Sequence, residues 1–356
     1  MEPSNTPPIR LAVLGAGGLG KAAARIIGMK RQVRLCAICD SQGFVLASEG
    51  VETQAMASLA GDLVSGYRQA TEAMRDADGS GGADHGGVQV APRGEIRSCD
   101  DPLGALLERA DQFDAFLVTL PNLPNEFIPS VVERFLSART SLVLVDVLKR
   151  TRAVEQMLAL DALAKRSCSV VLTGCGATPG VLAAAVLAAQ SFIEVEKVDL
   201  WWGVGIAHWE AYRATIREDI AHLPGYSVER ARAMSDAEVE ALLERTHGLL
   251  ELRQMEHADD VLLQRVGVVD HPDQVEVGGV MDTRHAKKPV STTMTLTGTT
   301  FEGKRSSHRF ILGDETTMAA NVIGPALGYL KRGLWLKAHG LFGVFGCTEF
   351  LPMVVR

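Results

Sequence analysis

Gly15, Gly17 and Gly20 stand at the spacing that seats a pyrophosphate, and Lys149 ends a strand that would run up beside it. The run LAVLGAGGLG, residues 11–20, takes an apolar strand directly into Gly15-x-Gly17-x-x-Gly20 and then into helix-forming KAAARII. Gly15 permits the tight turn, Gly17 lets backbone approach the phosphates, and Gly20 lets the helix sit close to the strand. Gly18 and Leu19 complete the turn at a helix N-terminus, where free N–H groups hold an anion. A second strand, QVRLCAICD, ends in Asp40, placed to hold ribose hydroxyls. A structural Gly-rich turn is the competing reading; strand, helix and acidic residue in register favour a nicotinamide dinucleotide. Ser41-Gln42 supplies no arginine for a 2′-phosphate, so the cofactor leans to NAD(H), with NADP(H) open.

In an open parallel sheet, ligands bind beyond the carboxyl ends of the strands. Three such ends converge where a nicotinamide ring would lie: Thr119-Leu120-Pro121-Asn122, Asp146-Val147-Leu148-Lys149, and Gly174 to Gly180 with Gly176 and Ala177 at its centre. Thr119, Pro121, Gly176 and Ala177 are therefore candidate cofactor contacts. Lys149 is the candidate catalytic residue. Like charge from the nicotinamide and partial desolvation would both favour its neutral amine, a nucleophile toward a ketone or an acid–base group for an amine. The alternative is a solvated basic helix start made by Lys149, Arg150 and Arg152, and whether Asp146 reaches the amine stays open at this level. Cys175 reads as a small packed thiol rather than a nucleophile, because no basic partner is fixed near it. In HWEAYRATIRED, His208 and Tyr212 are four apart, as are Arg213 and Arg217. Each pair would share a helix face, and His208, Arg213 and Arg217 are candidate substrate contacts, the two arginines suiting a carboxylate. Ion pairs from the arginines to Glu210 and Glu218 are the competing reading.

Behind these residues, strand and helix alternate up to about residue 190, which implies a doubly wound parallel sheet of Rossmann type. From Glu194 longer strands with alternating faces follow, EKVDLWWGVGIA, QVEVGGVMD, VSTTMTLTGTT and GKRSSHRFIL, implying a second α+β domain on an antiparallel sheet. Ser235 and Glu238 suggest a capping box. The expected organisation is 1–190 for the dinucleotide-binding domain, 191–312 for the substrate domain and 313–356 for a helical segment packing back on the first. The Gly-rich stretch Asp76–Gly87 reads as a mobile surface insertion.

With 356 residues, 47% apolar and 22% charged, the chain has the composition of a globular protein of about two domains. A net charge of −7 with no long basic run argues against nucleic acid as a partner. The six cysteines form no disulfide pattern, and Cys36 and Cys39 lie in one strand on opposite faces, so neither they nor the scattered His285 and His308 read as metal ligands. No apolar run reaches membrane-span length, and a reducing cytoplasm is expected. Homo-oligomerisation is left open.

The nucleotide turn, the GATPG turn and the tail TTMAANVIGPALGYLKRG resemble those of the saccharopine dehydrogenase-like oxidoreductases, over most of the chain. That resemblance implies reductive joining of amines and carbonyls with NAD(P)H. The segments GAGGLGKAA, VLVDVLKRT and GCGATPGVLAAA further resemble a biotin-synthesis branch of this family in which a lysine of the protein surrenders its own amino group. The matching position is Lys149. What the resemblance implies is conversion of 8-amino-7-oxononanoate, with bicarbonate, to carboxylated 7,8-diaminononanoate in a single turnover. A multiple-turnover saccharopine- or carboxynorspermidine-type dehydrogenase, and a non-catalytic nucleotide-binding redox sensor, are the alternatives.

Overall fold

The computed structural model describes residues 7–57, 59, 61–77, 94–122, 124–313 and 317–356. Asp76 and Ala77 end the helix Leu63–Ala77, and residues 78–87 of the Gly-rich stretch lie outside the described residues. In chain order the strands are β1 (Ile9–Leu14), β2 (Val33–Cys39), β3 (Gly43–Leu46), β4 (Glu95–Ser98), β5 (Ala115–Val118), β6 (Val143–Asp146), β7 (Val170–Thr173), β8 (Phe192–Gly205), β9 (Leu249–Leu252), β10 (Val275–Asp282), β11 (Thr292–Thr300), β12 (Arg305–Leu312) and β13 (Gly343–Gly346). Among the described residues, eight of them form one sheet in the order β13-β7-β6-β5-β1-β2-β3-β4.

β1 pairs in parallel with β2 on one side and β5 on the other, so the chain reverses its direction of winding at β1, where this fold class binds ligands. Leu11, Ala12, Val13 and Leu14 are fully buried, as a strand covered on both faces must be, and each such leucine or valine contributes roughly 1.5–3 kcal/mol over exposure. In the helix Gly18–Gly28 the buried residues include Gly20, Ala23, Ala24 and Ile27, a helical stripe that seats it on the sheet. Phe116 of β5 meets Phe113 and Phe135 edge to face at 5.6 and 5.3 Å, fixing the sheet to the helix Phe127–Ala138.

The sheet is not parallel throughout. β3 and β4 close one edge as antiparallel strands, and β13 adds a parallel strand at the other. The second sheet runs β12-β11-β8-β10-β9. It is mixed rather than antiparallel, because β10 lies parallel to β8 while β11 lies antiparallel to it. The long helical excursion between β8 and β10 is what permits this, since a parallel neighbour needs a crossover whereas a hairpin cannot supply one. That excursion includes the helix Asp236–Arg245, opened by the Ser235–Glu238 capping box. The helix Met318–Ala338 packs on β5, β6 and β7 and against Gly18–Gly28. Gly333 permits that closeness: a Cβ there would come within 2.8 Å of Val143. Among the described residues no helix is long and apolar enough to cross a membrane.

Candidate active site at the carboxyl ends of the parallel strands

Gly15 leaves β1 with φ +113, and its N–H donates to Cys39 O at 3.1 Å. A Cβ here would lie 2.8 Å from Thr119 O, and a Cβ at Gly20 only 1.8 Å from Gly15 O, so neither position tolerates a side chain. A Cβ at Gly17 would meet nothing within 4 Å, leaving backbone open to the adjoining cavity. Gly17 gives no side-chain cap and the first turn of Gly18–Gly28 carries no acid, so its N–H groups are free for a phosphate. These residues fit a dinucleotide. The cavity, about 930 Å³, is lined by Gly15, Gly17, Gly18 and Leu19, by Asp40, Thr119, Pro121 and Lys149, and by Gly176 and Ala177. Gly20 lies beneath the turn rather than on the cavity wall, and Thr119 spends its hydroxyl on Gly15 O at 2.9 Å, tying β5 to the turn.

Asp40 is held by backbone N–H groups of its own loop and of the helix Leu63–Ala77. Its Oδ1 accepts from Gln42 N at 2.7 Å and Gly43 N at 3.0 Å, and its Oδ2 accepts from Leu63 N at 2.9 Å. A carboxylate has about four acceptor sites, so one remains for a ribose hydroxyl while its charge would repel a 2′-phosphate. Asp40→Asn keeps the Oδ1 acceptor and removes the charge. The expected result is an NADH-to-NADPH affinity ratio lowered about tenfold, read by fluorescence titration; an unchanged ratio removes Asp40 from the ribose.

Lys149 follows β6 and is set by Asp146. Asp146 Oδ1 accepts from Leu148 N, Thr173 Oγ1 and Gly174 N, each at 3.0 Å, which fastens the ends of β6 and β7 together. Burial pushes this carboxyl up to about 6, against those three donors. The Lys149 amine bonds elsewhere, donating to Asp219 Oδ1 at 2.8 Å and lying 3.5 Å from Glu218 Oε2. Both carboxylates are almost fully buried on the helix Arg213–Ile220. This corrects the expectation of a neutral amine. Burial alone lowers the Lys149 pKa, but Asp219 and then Glu218 outweigh it, so the resting lysine is an ammonium with its pKa above the usual lysine value. The solvated basic helix start is also wrong for Arg150. That residue is buried, donating from Nε to Asn125 Oδ1 at 2.8 Å and from Nη2 to Glu256, with Nη1 3.4 Å from His222 Nε2. Burial, with Lys149 and Arg150 adding repulsion, holds His222 down at about 4.

The substrate-side candidates divide. His208 is exposed, lies before the 3₁₀ turn Trp209–Tyr212 in extended backbone, and is not on the cavity wall; the expected helix face shared with Tyr212 fails because the α-helix begins only at Arg213. Arg213 and Arg217 do share a face and both line the cavity. They bond one acid, Asp236, at 3.0 and 2.6 Å, and lie over the Trp209 ring, rather than pairing with Glu210 and Glu218. Trp209–Tyr212 packs against Gly18–Gly28, bringing the second sheet's excursion up to the nucleotide turn. Cys175 is fully buried and burial raises its thiol pKa, the environment of an inert packed cysteine.

No protein-family model matches the sequence. The chain is 43% identical over 349 residues to the (S)-8-amino-7-oxononanoate synthase BioU of Haloferax mediterranei, covering 97% of this chain and 99% of that one. The chain belongs to the BioU family. Among solved structures, this BioU-family chain is similar to the DAP dehydrogenase of C. glutamicum in complex with DAP, at 17% identity and TM-score 0.53 over 99% of this chain and 95% of that one. It is similar also to an engineered D-amino acid dehydrogenase bound to NADP⁺, at 15% identity and TM-score 0.52 over 98% and 94% of the two chains. At such identities the shared property is the fold.

In this BioU-family chain the sequence reading missed Glu218, Asp219, His257 and Asp259. His257 lines the cavity, and its Nδ1 bonds Asp259 Oδ2, a fully buried carboxylate whose Oδ1 has no hydrogen-bond partner among the described residues. The next residue ties this segment to the lysine: Ala258 N donates to Lys149 O at 2.7 Å. A carboxylate on Nδ1 favours the tautomer with the proton on that nitrogen, which leaves Nε2 available as an acceptor. His257-Ala258-Asp259 is a possible sequence cue, but an i,i+2 spacing carries no geometry by itself, and nothing in Arg217-Glu218-Asp219 announces burial.

Proposed function

We propose that this chain is an NAD(P)-dependent enzyme of biotin biosynthesis that converts 8-amino-7-oxononanoate to carboxylated 7,8-diaminononanoate once per protein molecule, with Lys149 as the amino donor. The observation that carries the reading is Lys149 on the wall of the cavity that the glycine turn opens into, in a chain related end to end to a protein named for the same oxononanoate. Gly15, Gly17, Gly18 and Leu19 would hold the pyrophosphate and Asp40 the adenosine ribose. When bound, the nicotinamide supplies and later withdraws a hydride at one carbon–nitrogen bond.

The chain's own residues do the rest. Lys149 Nζ, once neutral, attacks the substrate ketone, and loss of water gives an imine that becomes a secondary amine. His257, oriented by Asp259, donates and accepts the protons of carbinolamine formation and breakdown. The substrate's amine takes up carbon dioxide from bicarbonate. Oxidation on the lysine side of the nitrogen followed by hydrolysis frees the product and leaves an aldehyde at position 149. Intact mass after incubation with substrate, bicarbonate and NADH tests this: protein about 1 Da lighter at one residue and at most one equivalent of product are expected. Many turnovers with unaltered mass would overturn it.

The resting ammonium of Lys149 favours a second reading, in which the lysine is a recycled general acid in a multiple-turnover reductive amination dehydrogenase. The same mass measurement separates the two. On either reading Arg217 and Arg213 hold the substrate carboxylate, since two arginines share a single acid and retain net positive charge. Arg217→Ala is expected to raise the substrate concentration needed for half-maximal reaction about tenfold while sparing NADH binding; unchanged substrate dependence in both single variants would remove the pair.

A further inference from the structure

Lys149 must be neutral to attack a ketone, yet it rests as an ammonium between two buried carboxylates. The cavity contains the means to reverse this. Glu218 is 2% exposed; among the described residues its Oε1 has no hydrogen-bond partner and lies 4.0 Å from Arg150 Nη1, while its Oε2 accepts from Asn122 Nδ2 at 3.1 Å. Asp219 is 1% exposed, and both acids belong to the cavity wall. The pair therefore forms a built site for a compact cation, in which Lys149 is the internal occupant and one Glu218 oxygen makes only a long ion pair to Arg150 and no hydrogen bond. A substrate bearing a primary ammonium next to its ketone presents the same group at the place where reaction must occur.

We propose that Glu218 and Asp219 form an ammonium subsite that exchanges Lys149 for the substrate's own ammonium, and that this exchange releases Lys149 as the nucleophile. The inference rests on the proposed function. Before exchange, Lys149 bonds Glu218 and Asp219, its charge is felt by His222, Arg150 pairs with Glu218 and Glu256 beside it, and His257 lines the same cavity. After it, a second cation competes for the two carboxylates, so Lys149 loses the attraction that offset its burial and feels like-charge repulsion in its place. Its proton passes to water, to which the side chain is 19% exposed; no substrate bond is made or broken in this step. The subsite would thus select α-amino ketones over plain ketones by activating the lysine only for the former.

Borohydride trapping compares 8-amino-7-oxononanoate with 7-oxononanoate, which lacks only the amine, by intact mass at pH 7.5. Each rate is divided by that of the same ketone with free Nα-acetyl-lysine, which removes the intrinsic reactivity difference. The expected normalised preference for the amino ketone is at least about tenfold, shrinking as pH rises and the lysine deprotonates unaided, and lost in Asp219→Asn. Equal normalised rates in the wild type would overturn the subsite. Absence of any Lys149 adduct with either ketone would sink the donor-lysine reading instead, and the subsite is then read without reaction. Lys149→Met leaves the carboxylates without their internal cation, so methylammonium should raise its melting temperature more than equimolar tetramethylammonium does, and more than it raises that of the wild type. Equal effects of the two ions on this variant would overturn the subsite independently of the reaction.

Discussion

Lys149→Arg should form no product, even at a single equivalent, while binding NADH as the wild type does. Arginine keeps the positive charge that Glu218 and Asp219 need, so the buried cluster stays paired; a neutral replacement would strand two buried acids and cost several kcal/mol. The guanidinium is never deprotonated in water and forms no imine. The effect is therefore complete loss rather than a slowing, and it is separable from unfolding by the retained NADH titration and melting temperature. Intact mass gives the matching positive result: the wild type loses about 1 Da on turnover and the variant loses nothing. Residual product in Lys149→Arg at more than trace level would mean that the transferred nitrogen comes from solution.

The next largest effect is expected at His257. Replacing it with glutamine should slow the single-turnover rate about 10²-fold or more, the usual range for removing a positioned acid–base group. Asp259→Asn should slow it less, because the imidazole remains but its tautomer is no longer fixed. The distinguishing readout is rescue: added imidazole should restore part of the single-turnover rate in His257→Gln, whereas a packing defect would not respond to it. Rapid-quench rates with and without imidazole measure this. A wild-type rate in His257→Gln would leave the protons to solvent and make His257 a wall residue.

Several features could be read without the fold because the signal is local. Leu11 to Gly20 puts strand, turn and helix start in ten consecutive residues, and the glycine constraints within it, Gly15 at φ +113 and Gly20 against Gly15 O, are those the spacing implies. Ser235 and Glu238 are equally local, and their reciprocal cap is present. The four-residue strands β3, β4 and β13 were not legible. GVFG, four residues with glycine at both ends, is too short to read as a strand and is one because β7 offers Val170 to Thr173 an open edge to pair. The parallel β8–β10 pairing was equally hidden, since strand direction depends on how the intervening helices return the chain.

The sequence by itself determined the dinucleotide turn, the alternation that winds the first sheet, and Lys149 at a strand's carboxyl end, because each depends on neighbours in the chain. Only the tertiary structure decided what that lysine is. Glu218 and Asp219 lie about seventy residues further on, on a helix whose sequence draws attention to its two arginines as carboxylate contacts, and they reach Lys149 only because the excursion from β8 folds back over the nucleotide turn. Their burial beside the amine reverses the expected sign of its pKa shift, and the same folding back turns Arg213 and Arg217 onto Asp236 and seats His257 on the cavity wall. Charge state is a property of the distances and dielectric around a group, and those are fixed by packing between segments remote in the chain.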